Sequence, residues 1–293
     1  MAARPLVVLT TALRAMRLLD VDHERRFVLT PTAQEHLVCG KSLYVGDYVG
    51  LAAESPGVVG MVERLRTNRP WGANETSDDG AAFIYREGTP SAMEQEAKAR
   101  HLTLALAGRA KNVAPALAAN LSIVGARTLL DLGGGTGIYS IALVRQNPEL
   151  RAVVFDRPEV LKVAAEMVAE YGVADRVQLQ PGDMFVDPLP AGCDIVLLSN
   201  ILHDWDVPEC RTLVDRAAAA LAPDGRLWIH DVFLNDALDG PLPIALYSAA
   251  LFTLTEGRAY SAAEYRRMLT AANLKPGPLT PTAIHCGVLE GVK

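Results

Sequence analysis

Residues 127–137 read RTLLDLGGGTG. An apolar run closing on an acid and a glycine cluster reads as a strand turning into a helix. Glycine there lets the backbone approach a ligand closely. A dinucleotide fingerprint, GxGxxG, would need its third glycine at position 138, which is Ile138. The sequence has Gly133-x-Gly135-x-Gly137 instead, preceded by Asp131. This leaves no obvious pyrophosphate cradle. It sets a carboxylate where it would meet a cationic ligand.

Outward from this stretch, strands alternate with helices. Helix 137–147 leads to strand RAVVFD (151–156), and helix 158–172 to RVQLQPGD (176–183). Then come CDIVLLSN (193–200), a helix over 207–222, and RLWIHDVFL (226–234). The strands are continuous apolar runs, as parallel strands covered on both faces require. The fold class is α/β, a doubly wound sheet. Ligands in such sheets sit beyond the C-terminal strand ends, at the switch point.

Three of those ends are acidic. Asp156 closes the second strand, placed to accept from both hydroxyls of a ribose. Gly182-Asp183-Met184-Phe185 follows the third. Asp183 is suited to accept from an exocyclic amine, and Met184 and Phe185 to sandwich a base. A lone Asp after a strand is ordinarily a helix cap; three at successive strand ends are harder to explain so.

The rest of the chain reads differently. A helix is expected over 5–19, a short strand over 27–30, and a second helix capped by Thr30 with Pro31 at its first position. Helix, strand, helix reads as part of a winged helix whose earlier helices are missing. Residues 41–122 read as helical, broken at Pro56, Pro70 and Pro90, and the helix over 91–121 is expected to break near Pro115. The division falls near residue 122. Residues 1–122 form a helical, partial winged-helix region; residues 123–293 form the ligand-binding domain.

The 293 residues are half hydrophobic and carry a net charge of −6. That acidity argues against a nucleic-acid partner. No apolar run reaches the length of a membrane span, and no signal peptide opens the chain. Four scattered cysteines, with no CxxC pair, imply neither metal nor disulfide framework. A cytoplasmic protein is expected.

The GxGxG loop, the acidic second strand end and the Gly-Asp-Met-Phe segment resemble class I S-adenosylmethionine-dependent methyltransferases, over residues 127–293. The resemblance implies a Rossmann-like domain binding S-adenosyl-L-methionine through Asp131, Gly133, Gly135, Asp156, Asp183, Met184, Phe185 and Ser199.

The fourth strand ends in LSNILHDWD (198–206). His203 is then directed to where the methyl group is delivered. A neutral imidazole, with an ordinary pKa of about 6.5, removes a phenolic proton near neutral pH. Asp231, at the end of WIHD, is placed to orient it. Asp204 is expected to diverge from the ring, and His230 to face the other way. Trp205 reads as packing, and Asp206 as the cap of the helix opening at Val207-Pro208.

ILHDWD, with the winged-helix-like front, resembles a narrower group. These are the cation-independent dimeric O-methyltransferases of the caffeate and acetylserotonin type. The resemblance implies a homodimer, a small-molecule substrate, His203 as general base and Asp231 as its acid. Three departures stand out. Ser199 occupies the place of a lysine that contacts the cofactor. Ala259, in GRAYS (257–261), replaces an expected glutamate, unless Glu256 substitutes. The front lacks the helices that interlock subunits.

The substrate pocket is expected between the helical region and the α/β core, lined by the apolar helix 242–255, and suited to a phenolic or polycyclic hydroxyl compound. Two rival readings remain. One is a methyltransferase-fold protein doing other chemistry, such as decarboxylation or hydroxylation. The other is a non-catalytic winged-helix regulator that senses the ligand.

Overall fold

The computed structural model describes residues 1–69, 96–283 and 285–293. The breaks expected at Pro70 and Pro90, and the start of the helix expected at 91, lie outside them. The front comprises α1 (Ala3–Ala15), a hairpin of β1 (Leu19–Val21) and β2 (Phe27–Leu29), α2 (Pro31–His36), α3 (Gly46–Gly50), α4 (Pro56–Thr67) and α5 (Glu96–Asn120). The α/β part continues with β3 (Thr128–Leu132), α6 (Ile138–Gln146), β4 (Arg151–Asp156), α7 (Pro158–Glu170), β5 (Val177–Pro181) and β6 (Cys193–Ser199). After a 3-10 turn at Leu202–Asp204 come α8 (Val207–Ala220), β7 (Leu221–Leu234) and α9 (Leu242–Leu254). The chain ends in β8 (Tyr260–Ser261), α10 (Ala262–Ala271), β9 (Lys275–Ala283) and β10 (Cys286–Val292).

The main sheet has the order β5-β4-β3-β6-β7-β10-β9, with β8 beside the end of β7. β3 to β7 run parallel, and β10 and β9 antiparallel. Strand order reverses at β3, which pairs β4 on one side and β6 on the other. The crevice above that pair is the ligand position of the fold. Alternate side chains fill two layers. Leu129, Ile195, Leu197 and Trp228 pack with α6 and α7. Leu130, Leu132, Val196 and Leu198 pack with α8 and α10.

Two expectations are corrected. The first helix ends at Ala15, not 19, because Arg17 turns left-handed (φ 58°) and Leu18 N–H closes back on the Leu13 carbonyl. The freed Leu19–Val21 becomes β1. The helix carrying Pro115 is not interrupted. Proline removes one N–H, while Ala114, Leu117 and Ala118 stay packed in the core. The C-terminal hairpin β9–β10 and α10 were not anticipated. The cap readings hold: Thr30 Oγ accepts from Ala33 N at 3.2 Å, and Asp206 Oδ1 from Val207 N at 2.8 Å.

Candidate active site

The ends of β3, β4, β5 and β6 open onto a cavity of about 700 Å³. α5 closes it from one side with Leu102, Leu106 and Arg109, and α9 from another with Tyr247, Leu251 and Leu254. This places helix 242–255 on the cavity, as expected from its apolar character.

At the end of β3 the chain runs left-handed at Gly133 (φ 73°) and Gly135 (φ 58°). A Cβ at Gly133 would lie 2.6 Å from Ile201 Cδ1, so the Ile201 side chain would have to shift to admit one. A Cβ at Gly135 would meet nothing within 4 Å. Glycine thus leaves open volume at a cavity-lining backbone position. Gly134, which spacing did not single out, is equally confined: its Cβ would lie 2.7 Å from Asp131 Cγ.

Asp131 itself is fully buried and lies off the cavity surface. Ser140 Oγ donates to its Oδ2 at 2.7 Å, Oδ1 has no hydrogen-bond partner, and burial pushes its pKa up to about 7. Direct contact with a cationic ligand is therefore corrected to a place under the loop, where Asp131 braces the start of α6.

Asp156 accepts from Gly135 N at 2.8 Å and from Arg157 N at 2.7 Å. Burial raises its pKa, against these two backbone bonds. Asp183 accepts from Arg157 Nη1 at 2.9 Å and from Phe185 N at 2.8 Å. Arg157 lines the same wall and links the two acidic strand ends, a role the sequence did not announce. Met184 and Phe185 line the cavity, and Phe185 meets Trp205 edge-to-face, centroids 4.7 Å apart. Trp205 is thus cavity wall as well as packing. Two carboxylates, two apolar faces and an open glycine turn suit a ribose, a base amine and a base plane, the parts of an adenosine.

Ser199 lines the cavity and hydrogen-bonds His230 Nδ1 at 2.8 Å. His230 Nε2 lies 3.3 Å from Thr282 Oγ1. Burial pulls the His230 pKa down to about 4, so the ring is neutral. It does not itself line the cavity, but lies behind Ser199 and Tyr139, which do.

The 3-10 turn presents His203 to the cavity. His203 donates from Nδ1 to Asp231 Oδ1 at 2.6 Å. Tyr265 OH donates to Asp231 Oδ2 at 3.1 Å, and Val232 N to Oδ1 at 2.7 Å. A carboxylate held by three donors only accepts, which fixes the tautomer and leaves Nε2 as the acceptor. Burial lowers the His203 pKa, but Asp231 and Asp204 outweigh it and the net direction is up. Asp231 moves down: its burial is outweighed by His203.

Asp204 does not diverge. Its Oδ1 lies 3.7 Å from His203 Nε2, on the cavity side. The 3-10 turn sets consecutive side chains about 120° apart instead of on opposite faces, so both reach the cavity, which an extended reading of the strand end missed. Burial raises its pKa to about 7, against the pull of His203. Ala259 is fully buried, among Val232, Leu234, Ile244 and Cys286. Its backbone N–H is taken by Ser248 Oγ at 3.0 Å. Glu256 stands instead near Arg4, whose charge it supports. The second carboxylate at the histidine therefore comes from its neighbour in sequence.

Among the described residues, no group of three His, Cys, Asp or Glu side chains is arranged to hold a metal ion. The chemistry on view is a proton acceptor beside an adenosine-shaped crevice.

Residues 81–275 match the O-methyltransferase domain family. The chain belongs to the O-methyltransferase family. A 3-hydroxy-5-methyl-1-naphthoate 3-O-methyltransferase of Streptomyces sahachiroi is 35% identical over 271 residues, 92% of this chain and 75% of that protein. A tetracenomycin polyketide synthesis 8-O-methyl transferase of Streptomyces glaucescens is 32% identical over 264 residues, 89% of this chain and 74% of that one. An O-methyltransferase family 2 protein from Planctomyces limnophilus, solved with apigenin, is 45% identical with a TM-score of 0.87, covering 100% of this chain and 82% of that one. The O-methyltransferase is S-adenosylmethionine-dependent, and the strand-end residues fit that cofactor.

Proposed function

We propose that this O-methyltransferase methylates a hydroxyl on a phenolic or polycyclic aromatic small molecule, with His203 as general base. The observation that carries the reading is the 2.6 Å bond from His203 Nδ1 to buried Asp231, which leaves Nε2 at the cavity. Gly133, Gly135, Asp156, Asp183, Met184, Phe185 and Ser199 would hold the cofactor. Bound there, S-adenosylmethionine supplies an electrophilic methyl group. His203 Nε2 takes the proton of the substrate hydroxyl, and the resulting oxyanion is the nucleophile. Asp231 stabilises the imidazolium that forms. Tyr247, its ring 5.8 Å from that of His203, and the apolar side chains of α5 and α9 supply a wall for an aromatic ring. The relatives' hydroxynaphthoate and polyketide substrates support this class.

Calorimetry with S-adenosylmethionine should show one site per chain, weakened strongly by Asp156→Ala. His203→Ala should keep that affinity and lose methyl transfer to phenolic compounds. Unaltered turnover would remove His203 from the role of base.

The reading extends to the whole enzyme. Residues 1–122 serve as substrate lid and dimerisation region, and residues 123–293 bind the cofactor. Phe27, Leu29, Val49 and Leu51 on the front expose apolar surface, which supports a homodimer built there. The four free cysteines support a reducing, cytoplasmic setting. Sedimentation analysis tests the first point: a monomer at micromolar concentration removes it.

A further inference from the structure

Arg109 lines the cavity from α5, close enough to His203 and Asp231 to act on both electrostatically. Its Nη1 donates to Asn200 Oδ1 at 2.6 Å, and its Nη2 to Cys286 Sγ at 3.5 Å. Asn200 is locked in turn, donating to Tyr139 OH and to Ser199 Oγ, both at 3.1 Å. These contacts account for two of five guanidinium N–H donors, and both acceptors are neutral. No carboxylate among the described residues lies within 4 Å of Arg109. The carboxylate that acts on it electrostatically, Asp231, is already held by His203, Tyr265 and Val232.

Arg109 is exposed overall but lines the cavity, and its bond to Asn200 holds the guanidinium there. A planar guanidinium with open donors matches a carboxylate, which it grips through two parallel bonds. The walls beside it, Leu102, Leu106, Tyr247 and Leu251, suit an aromatic ring.

We propose that Arg109 is the recognition residue for an anionic group on the substrate, which makes the preferred substrate a hydroxylated aromatic carboxylic acid. This rests on the O-methylation reading and narrows it: one end of the ring system offers a hydroxyl to His203, and another offers a carboxylate to Arg109. Thiol Cys286, a weak acceptor, is the partner the carboxylate displaces.

The test compares 3-hydroxy-1-naphthoate with 2-naphthol, which differ only in the carboxylate. Binding is measured by calorimetry on protein saturated with S-adenosylhomocysteine. The wild type should bind the acid at least about tenfold more tightly, the usual effect of a charged hydrogen bond. Arg109→Gln should erase that preference while leaving 2-naphthol within about twofold, and Arg109→Lys should restore part of it. Three results overturn the inference. One is equal affinity of the wild type for both probes, including no binding of either. Another is a parallel loss of both probes in Arg109→Gln. The third is a tenfold loss of S-adenosylmethionine affinity in that variant, which would assign the guanidinium to the cofactor's own carboxylate. Binding decides the matter without turnover. A wild type that prefers the acid but methylates neither probe would count against the O-methylation reading alone.

Discussion

At the scale of single residues, the site is three titrating groups in contact. His203 lies between Asp231 on Nδ1 and Asp204 near Nε2, and both carboxylates favour its protonated form. As the proposed base it works only when neutral. The acid limb of the pH–rate profile should therefore lie above the ordinary histidine value of about 6.5. Asp231→Asn should move that limb to lower pH and cut turnover about a hundredfold or more, because the amide no longer fixes the tautomer. A limb unmoved by Asp231→Asn would separate the two groups. Stability follows the opposite signs. The raised His203 pKa contributes stability below its unfolded value, lost as pH rises through the folded one. The depressed Asp231 pKa contributes stability above about 3.8, lost as pH falls through its folded value. The protons belong to the cluster, so titration by NMR should show coupled steps rather than three independent curves.

What the sequence made legible divides along the same line. Asp156, Asp183 and His203 were readable because each ends a recognisable strand, and strand ends converge in a doubly wound sheet. The side chain of Asp204 was not, because its direction depends on a short 3-10 turn that apolar patterning does not signal. Arg157 and Arg109 were missed for different reasons. Arg157 reads as the ordinary residue before Pro158, and Arg109 lies in a helix whose register against β6 no local signal gives.

At the scale of elements, glycine positions decide how closely segments approach. Gly257 leads into β8 and lies against the turn that carries His203. A Cβ there would press on the His203 carbonyl and on Trp205 N. Those neighbours are backbone and cannot swing aside. Gly257→Ala should cost about 1–3 kcal/mol in urea unfolding, by overpacking. It should also lower turnover if His203 is the base, because relief comes only by moving the His203 turn. The control is Gly108→Ala, on α5, where a Cβ meets nothing within 4 Å. Unchanged turnover in Gly257→Ala would mean that the β8 segment yields instead. The same reasoning explains Gly182, whose Cβ would meet the ring of Phe155 at 2.3 Å. Spacing singled out Gly133, Gly135 and Gly137 but not Gly134 or Gly257, since a close approach between distant segments leaves no periodic trace.

At the scale of the molecule, the front is tied to the catalytic domain at both ends of the cavity. α5 bridges to α7 through Arg100 with Glu166 and Lys162 with Glu96, exposed pairs that salt screens. α1 packs against α9, and there the tie is buried. Arg4 is 4% exposed and stacks over the Phe252 ring at 4.8 Å. It donates to the carbonyls of Thr255 at 3.1 Å and Gly257 at 3.3 Å, and to the Asn68 carbonyl at 3.0 Å. One guanidinium from the front thus holds the segment that abuts the His203 turn. Removing it strands buried carbonyls as well as a stacked ring. Arg4→Ala should cost about 2–4 kcal/mol, the range for breaking a buried, charged hydrogen-bond network. If the front and the α/β part form one cooperative unit, urea unfolding in a Trp71→Phe background, where tryptophan fluorescence reports Trp205 and Trp228 in the core, should shift to lower midpoint as a single transition. An unshifted core transition would instead mean that α1 docks without supporting the site, and the front would then be a separate unfolding unit.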